Sequence, residues 1–342
     1  MLTTLCVCHF LAQKTSSIDI SGRDTHGYQF NTVDDMWKEQ AGDPKKKSKW
    51  YNDGVTFWEG VDASVEGVLG GYGFVNDADI NGSEDFLKVL LSQHFHVHNR
   101  HQPLVALDCG SGIGRVTKNV LIKYFNEVDL LEPVSRFLEV ARKTLANGYQ
   151  ANSDLHKAVN FYSLPLQDFT PVAGRYDVIW IQWCICHLTD DDFISFFNRA
   201  KVGLKPGGLF ILKENIAKTG FVLDNEDKTI TRSESYFQSL FSRCGLHIYK
   251  SKVQEGFPEG LFAVKIYSKN DSQPRRDIMA KEGEGVMARQ CASKTPRPIL
   301  TETSSPRCMG YLTETSRPIL TETPRPDMGH LTETSMSRRI RN

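Results

Sequence analysis

The sequence has no excess of either charge: 41 Lys and Arg balance 41 Asp and Glu over 342 residues. That balance removes the global electrostatic case for nucleic acid or an anionic membrane as partner. Also missing is any apolar run near the roughly 18–20 residues that span a bilayer. The mildly apolar start, Met1–Ala12, lacks a basic n-region and is interrupted by His9, so it does not match a secretory signal. The eight cysteines form no repeated CxxC pairs, which argues against zinc sites of that spacing and for thiols in a reducing compartment. Cys184 and Cys186 flank one residue of an apolar run, where buried thiols are expected. After Asn270, Phe and Trp are absent, and Leu-Thr-Glu-Thr recurs irregularly from Leu300, Leu312, Leu320 and Leu331. Such short polar units bury too little surface to offset chain entropy. Residues 271–342 therefore read as a disordered tail, and residues 1–30 as a disordered leader.

What is present is a 40% hydrophobic chain, enough for a sizeable core. From Leu104 to Asn270 strands alternate with helices. The predicted strands are Leu104–Cys109, Glu127–Leu131, Phe161–Leu164, Tyr176–Cys184 and Leu209–Lys213. Between them lie helices over Arg115–Phe125, Arg136–Leu145, a segment capped by Thr189 and stopping near Lys205-Pro206-Gly207-Gly208, and Glu234–Cys244. The last strands, His247–Val253 and Phe262–Tyr267, flank a Gly/Pro turn and should pair antiparallel. This order predicts an α/β fold: a doubly wound, mostly parallel, seven-stranded sheet with its ligand at the strands' carboxyl ends. Residues 101–270 would form this domain, and residues 31–100 a helical cap over the cleft. In the cap, helices are predicted within Asp34–Tyr51 and Thr56–Leu69, and Leu69–Gly73 reads as a flexible flap.

Leu107-Asp108-Cys109-Gly110-Ser111-Gly112-Ile113-Gly114-Arg115 follows a strand and opens a helix. Its glycines let backbone pass close to a ligand. Gly-x-Gly-x-Gly is not the dinucleotide spacing. An acid two positions before the first glycine instead resembles motif I of class I methyltransferases. Glu132, at the end of the next strand, reads either as a solvated charge or as a carboxylate accepting both ribose hydroxyls; its register with Gly110 favours the second. Leu166-Gln167-Asp168-Phe169 stands where this fold cradles adenine.

Further blocks make the resemblance specific. Trp58, Leu69-Gly70-Gly71-Tyr72-Gly73, Trp180-Ile181-Gln182-Trp183, His187-Leu188-Thr189-Asp190, Lys213-Glu214-Asn215 and Val222-Leu223-Asp224-Asn225-Glu226-Asp227 resemble the α-N-terminal protein methyltransferase family over roughly Trp50–Lys269. The resemblance implies an enzyme transferring methyl groups from S-adenosyl-L-methionine to the terminal nitrogen of proteins beginning Xaa-Pro-Lys or Xaa-Pro-Arg, such as ribosomal and chromatin proteins. It places Gly110, Gly112, Arg115, Glu132, Leu166, Gln167 and Gln182 around the cofactor. Around the peptide it places Trp58, Leu69, Gly70, Trp183, Asn215, Asp224 and Asp227, with Asp227, His187 and Asn215 in the catalytic set. Glu132 and Glu214 stand where some members carry a shorter acid.

The chemistry suits these residue types. A sulfonium donor is already activated, so the protein must mainly orient the acceptor. An α-amino group titrates near a pKa of about 7.7–8.0, so a carboxylate or imidazole within reach can take its proton. Asp227 and His187 are one of each, and Asp224 with Asp227 could meet a cationic third residue. Alternatively, 224–227 is an acidic surface loop, His187 a packing residue and Trp183 plain core. His94, His96, His98 and His101 cluster without a carboxylate, and no metal is expected for this reaction. Pro44–Lys49 reads equally as a nuclear import signal or a solvated loop, giving a cytoplasmic and nuclear expectation. Nucleic acid and membrane are not expected as partners. Two other functions share these features: a small-molecule methyltransferase of the same fold, and a non-catalytic binding protein.

Overall fold

The computed structural model describes residues 20–95, 103–148 and 156–270. The tail, most of the leader, and His96, His98 and His101 lie outside them. The described chain opens with two short strands, β1 (Gly22–Asp24) and β2 (Gln29–Phe30). Helices α1 (Val33–Ala41), α2 (Pro44–Glu59), α3 (Val65–Val68) and α4 (Asn76–Leu90) follow. Then come β3 (Val105–Cys109), α5 (Arg115–Asn119), β4 (Glu127–Leu131), α6 (Ser135–Gly148), β5 (Lys157–Tyr162) and β6 (Tyr176–Gln182). The chain continues through α7 (Asp190–Gly203), β7 (Leu204–Ile216), β8 (Phe221–Asp224), β9 (Thr229–Arg232), α8 (Glu234–Arg243), β10 (His247–Val253) and β11 (Ala263–Asn270).

Seven strands form the main sheet in the order β10-β11-β7-β6-β3-β4-β5. Pairings among β5, β4, β3, β6 and β7 are parallel, while β11 runs antiparallel to both β7 and β10. This is the class I methyltransferase sheet. β3 and β6 are buried at every position, as strands covered by helices on both faces must be. Successive side chains alternate between two cores. Leu107, Ile179 and Ile181 join Phe193, Phe197, Phe237 and Phe241 on one side. Ala106, Val178 and Trp180 join Phe86, Leu87, Val116 and Phe125 on the other.

Local signals set the helix ends. The Thr189 hydroxyl accepts the Asp192 N–H at 3.3 Å, starting α7, and Gly245, at φ 65°, stops α8. Several expectations differ from the structure. The helix read over Arg115–Phe125 is only one turn of α5 followed by a 3-10 turn at Leu121–Lys123. β5 begins at Lys157, earlier than Phe161, and β7 begins at Leu204, directly from α7. The first cap helix breaks at Gly42-Asp43-Pro44, because Asp43 caps a new helix through the Lys46 N–H at 2.9 Å and Pro44 takes its first position. The basic run Pro44–Lys49 is therefore the start of α2, not a loop; Lys47 pairs with Asp192 at 2.7 Å. The Gly60–Ser64 stretch divides Thr56–Leu69 into the end of α2 and the short α3.

A second sheet, β2-β1-β8-β9, has no counterpart in the sequence reading. β1 and β2 draw residues 22–30 out of the expected leader and into a packed element: Phe30 and Phe221 are buried with ring centroids 6.0 Å apart. Single strands of two to four residues carry too little alternation to be read from sequence.

Helix α2 is fixed to the sheet domain by its aromatic residues. The Trp50 indole N–H donates to the His187 carbonyl at 2.8 Å, and its ring meets Trp37 edge-on at 5.4 Å. Tyr51 donates to Asp192. At 2% exposure Trp50 is core, so Trp50→Ala should lower unfolding free energy by about 3 kcal/mol or more. Urea denaturation measures this; a loss below about 1 kcal/mol, the size of a surface substitution, would contradict the packing described.

Candidate active site

The glycine turn joins β3 to α5 at the carboxyl ends of the parallel strands. Gly110, Gly112 and Gly114 all have positive φ, at 62°, 53° and 75°, a region where a Cβ is costly. A Cβ on Gly110 would also stand 2.4 Å from the Cβ of Cys184. Strain thus disfavours other residues at all three positions, and at Gly110 space excludes them as well. It presents the Gly112 N–H to Glu132 Oε2 at 2.9 Å, and the Val134 N–H reaches Glu132 Oε1 at the same distance. Beneath, the Thr117 hydroxyl donates to Asp108 Oδ2 at 2.6 Å. Burial pushes the Glu132 carboxyl up to about 7 and that of Asp108 up to about 6, against the lowering effect of those hydrogen bonds.

Asp79 on α4 stands behind the wall, holding Arg115 and Gln182. It is fully buried, and its carboxylate meets Arg115 Nη1 at 2.7 Å and Lys213 Nζ at 2.5 Å. The Gln182 amide donates to both of its oxygens, at 2.9 and 3.0 Å. Burial alone would raise the Asp79 carboxyl; the two cations beside it hold it below its usual range. Sequence reasoning missed Asp79. The available signal was an acid inside the apolar stripe of α4, with Ile80, Ser83, Phe86 and Leu87.

These elements surround a cavity of about 1100 Å³, solvent at its mouth included. Gly110, Gly112, Arg115, Glu132, Leu166, Gln167 and Gln182 all line it. Arg199 secures the Leu166–Gln167 segment by donating to their carbonyls at 3.3 and 2.8 Å. Trp58, Trp183 and His187 line the cavity as well. Trp183 adopts φ 51°, a strained conformation for a bulky residue, and the Arg115 guanidinium lies 5.8 Å from its ring. Cys184 and Cys186 are buried free thiols, as expected. His94, the described member of the histidine cluster, lies with its Nε2 2.6 Å from the Gly207 carbonyl.

The remaining sequence candidates stand behind this wall. Leu69 is buried next to α3, and Gly70 turns the chain at φ 65°. Asn215 is buried in β7, where its N–H donates to Glu214 Oε1 at 2.9 Å. Asp224 and Asp227 are buried at the tip of the β8–β9 hairpin, so 224–227 is not an acidic surface loop. Asp224 Oδ1 accepts the Glu226 N–H at 2.9 Å, whereas its Oδ2 is buried without a hydrogen bond. Asp227 Oδ1 accepts the Thr229 hydroxyl at 2.5 Å. The tip meets α2 at Gly54, where an added Cβ would lie 3.5 Å from the Asp227 carbonyl and 3.6 Å from His187 Nδ1. Lys228, next along the chain, does line the cavity and was not foreseen. Burial lowers its pKa, partly offset by Asp53, Asp224 and Asp227.

His187 is held at both ring nitrogens. Its Nε2 accepts the Trp58 indole N–H at 3.2 Å, and its Nδ1 lies 3.1 Å from the Lys228 carbonyl. That pattern fixes the neutral tautomer with its proton on Nδ1. The Nε2 lone pair needed by a base is engaged by Trp58, so in this arrangement His187 orients Trp58.

A glycine turn that excludes side chains, beside a carboxylate held by two backbone N–H groups, suits a ribose and the charged end of S-adenosylmethionine. An acid raised to about 7 is protonated below that pH. Cofactor affinity should therefore rise through pH 7 and level off above it, with a slope of at most about tenfold per pH unit below the pKa. Titration calorimetry checks this: Glu132→Gln should flatten the profile, and Gly110→Ala should abolish binding. An unchanged slope in Glu132→Gln would remove Glu132 from the site.

The comparisons agree with this geometry. The family model described as AdoMet dependent proline di-methyltransferase matches residues 46–270. The chain is 64% identical over 255 residues to Alpha N-terminal protein methyltransferase 1 of Arabidopsis thaliana, covering 73% of this chain and 91% of that protein. It is 38% identical to N-terminal Xaa-Pro-Lys N-methyltransferase 1 of Danio rerio, covering 64% and 94%. A solved SAM-dependent methyltransferase of Leishmania major is 38% identical, with a TM-score of 0.64, over 74% of this chain and 97% of that one. With a match running from α2 to β11, the chain belongs to the AdoMet-dependent proline di-methyltransferase family of class I methyltransferases.

Proposed function

We propose that this enzyme methylates the α-amino group of proteins whose processed N-terminus reads Xaa-Pro-Lys or Xaa-Pro-Arg. The observation carrying the substrate reading is the buried acid pair at the β8–β9 tip, where Asp224 Oδ2 has no hydrogen bond inside the protein. An acceptor oxygen left unsatisfied in this way is costly, and a cationic side chain passing the Lys228 wall of the cavity to the tip behind it would satisfy it. A site built for a small apolar metabolite has no need of such a pair. Ribosomal and chromatin proteins beginning with this motif are the substrate classes proposed, met in the cytoplasm and the nucleus.

The division of labour follows from the walls. The bound cofactor supplies an electrophilic methyl on a sulfonium. Glu132 would hold the ribose hydroxyls, Arg115 would meet the carboxylate of the methionine portion, and Leu166 and Gln167 would flank the adenine. Asp79 keeps Arg115 and Gln182 in place from behind. On the acceptor side, Trp58 and Trp183 bracket the peptide, and Asp224 receives the third-residue cation. Asp227, at the same tip, takes the proton from the terminal ammonium, while Asn215 orients the amine. Catalysis is then mainly placement of a neutral amine.

A peptide with Lys replaced by Glu should lose about 100-fold in kcat/KM, as juxtaposed like charges cost several kcal/mol. Asp227→Asn should lower turnover at unchanged cofactor affinity, and raising the pH should restore part of the rate. Steady-state kinetics on short peptides reads both. Equal rates on the Lys and Glu peptides would hand the site to the small-molecule reading.

A further inference from the structure

The acid pair does not stand on its own hairpin alone. β8 is sandwiched between β9, antiparallel, and β1, parallel. β1 belongs to a strap, residues 22–30, that precedes the region matched by the family model, which starts at residue 46. Two glycines let strap and hairpin approach. A Cβ on Gly220 would stand 1.9 Å from the Ser21 carbonyl oxygen, and one on Gly22 would stand 2.5 Å from the Phe221 ring. The register brings Asp24 opposite Leu223, and the Thr25 N–H donates to the Leu223 carbonyl at 2.9 Å.

Asp24, itself buried, divides its carboxylate between two tasks. Oδ1 accepts the His26 and Tyr28 N–H groups, both at 2.9 Å, and so closes the turn between β1 and β2. Oδ2 accepts from the Asn225 side-chain amide at 3.2 Å. Asn225 sits between Asp224 and Glu226 at the hairpin tip. A bond from a rigid turn to this residue restricts the backbone that carries both acids.

We propose that Asp24 and Asn225 are positioning residues: the strap holds the β8–β9 tip so that Asp224 and Asp227 meet the acceptor peptide in register. The acceptor half of this rests on the function proposed above; the holding half does not. Neither residue touches the cofactor cradle, so the effect should fall on the acceptor side alone.

The test compares Asn225→Ala, Asp24→Ala and Asp24→Asn in the full chain. Two readouts are used: hydrogen exchange of the amides across residues 223–229, and kinetics on a Xaa-Pro-Lys peptide. A lost charge-assisted bond predicts a rise of about fivefold or more in peptide KM for Asn225→Ala. Exchange at the tip should quicken, with S-adenosylmethionine affinity and kcat near wild type. Asp24→Ala should do the same more strongly, since the strap turn also opens. Asp24→Asn should stay close to wild type: its oxygen still accepts from His26 and Tyr28, and a flipped Asn225 amide accepts from its new N–H. Wild-type exchange and wild-type peptide KM in Asn225→Ala would overturn the proposal. If the wild-type enzyme does not methylate the peptide, the acceptor reading fails, and tip exchange alone then supports or overturns the holding role.

Discussion

Asp79 is fully buried, and its carboxylate bonds to a guanidinium, an ammonium and a side-chain amide from three different elements. Arg115 follows the glycine turn, Lys213 lies in β7, and Gln182 ends β6. Desolvating these groups is expensive, and removing the shared acid would leave two cations buried together, a loss of about 3–5 kcal/mol for a broken buried pair. The arrangement therefore ties the α4 cap to the carboxyl ends of the sheet. The cofactor-side geometry depends on it, because Arg115 and Gln182 both face the cavity with their polar groups already turned to Asp79.

The proposed acceptor side is built differently. Its acids sit on a short hairpin whose own pairing extends only four residues per strand. Support comes from outside: β1 on one edge, and α2 at Gly54 against the tip. His187 ties the two together, with Trp58 of α2 at one ring nitrogen and the Lys228 carbonyl of the tip at the other. A neutral imidazole engaged on both sides is better suited to holding a channel wall than to shuttling protons. The proposed proton acceptor is therefore the carboxylate at the tip, not the imidazole.

The sequence made the cofactor half largely legible because its residues are consecutive along strand, turn and helix. Gly110, Gly112, Arg115 and Glu132 need only the βαβ order to be placed, and all four line the cavity together. Glu127–Leu131 and His247–Val253 were read at their observed bounds, since each is flanked by clear turn residues. The acceptor half was less legible. The four-stranded sheet rests on pairing between residues 22–24 and 221–223, more than half the chain apart, and no local period announces such contact. Asp79 was hidden for a related reason. An acid at one position of an amphipathic helix looks like an interruption until its partners are known. Lys228 and the burial of Asp224 and Asp227 depend on the same long-range packing.

In the proposed reaction the acid-tipped hairpin and the cofactor cradle act on one atom, the terminal nitrogen of a peptide chain. Fragmentation mass spectrometry of a methylated Xaa-Pro-Lys peptide locates that atom directly. Every transferred methyl should fall on the first residue, with the Lys side chain unmodified if its ammonium is held at Asp224 as proposed. Methyl groups on the Lys side chain, or transfer only to a small-molecule acceptor, would contradict it.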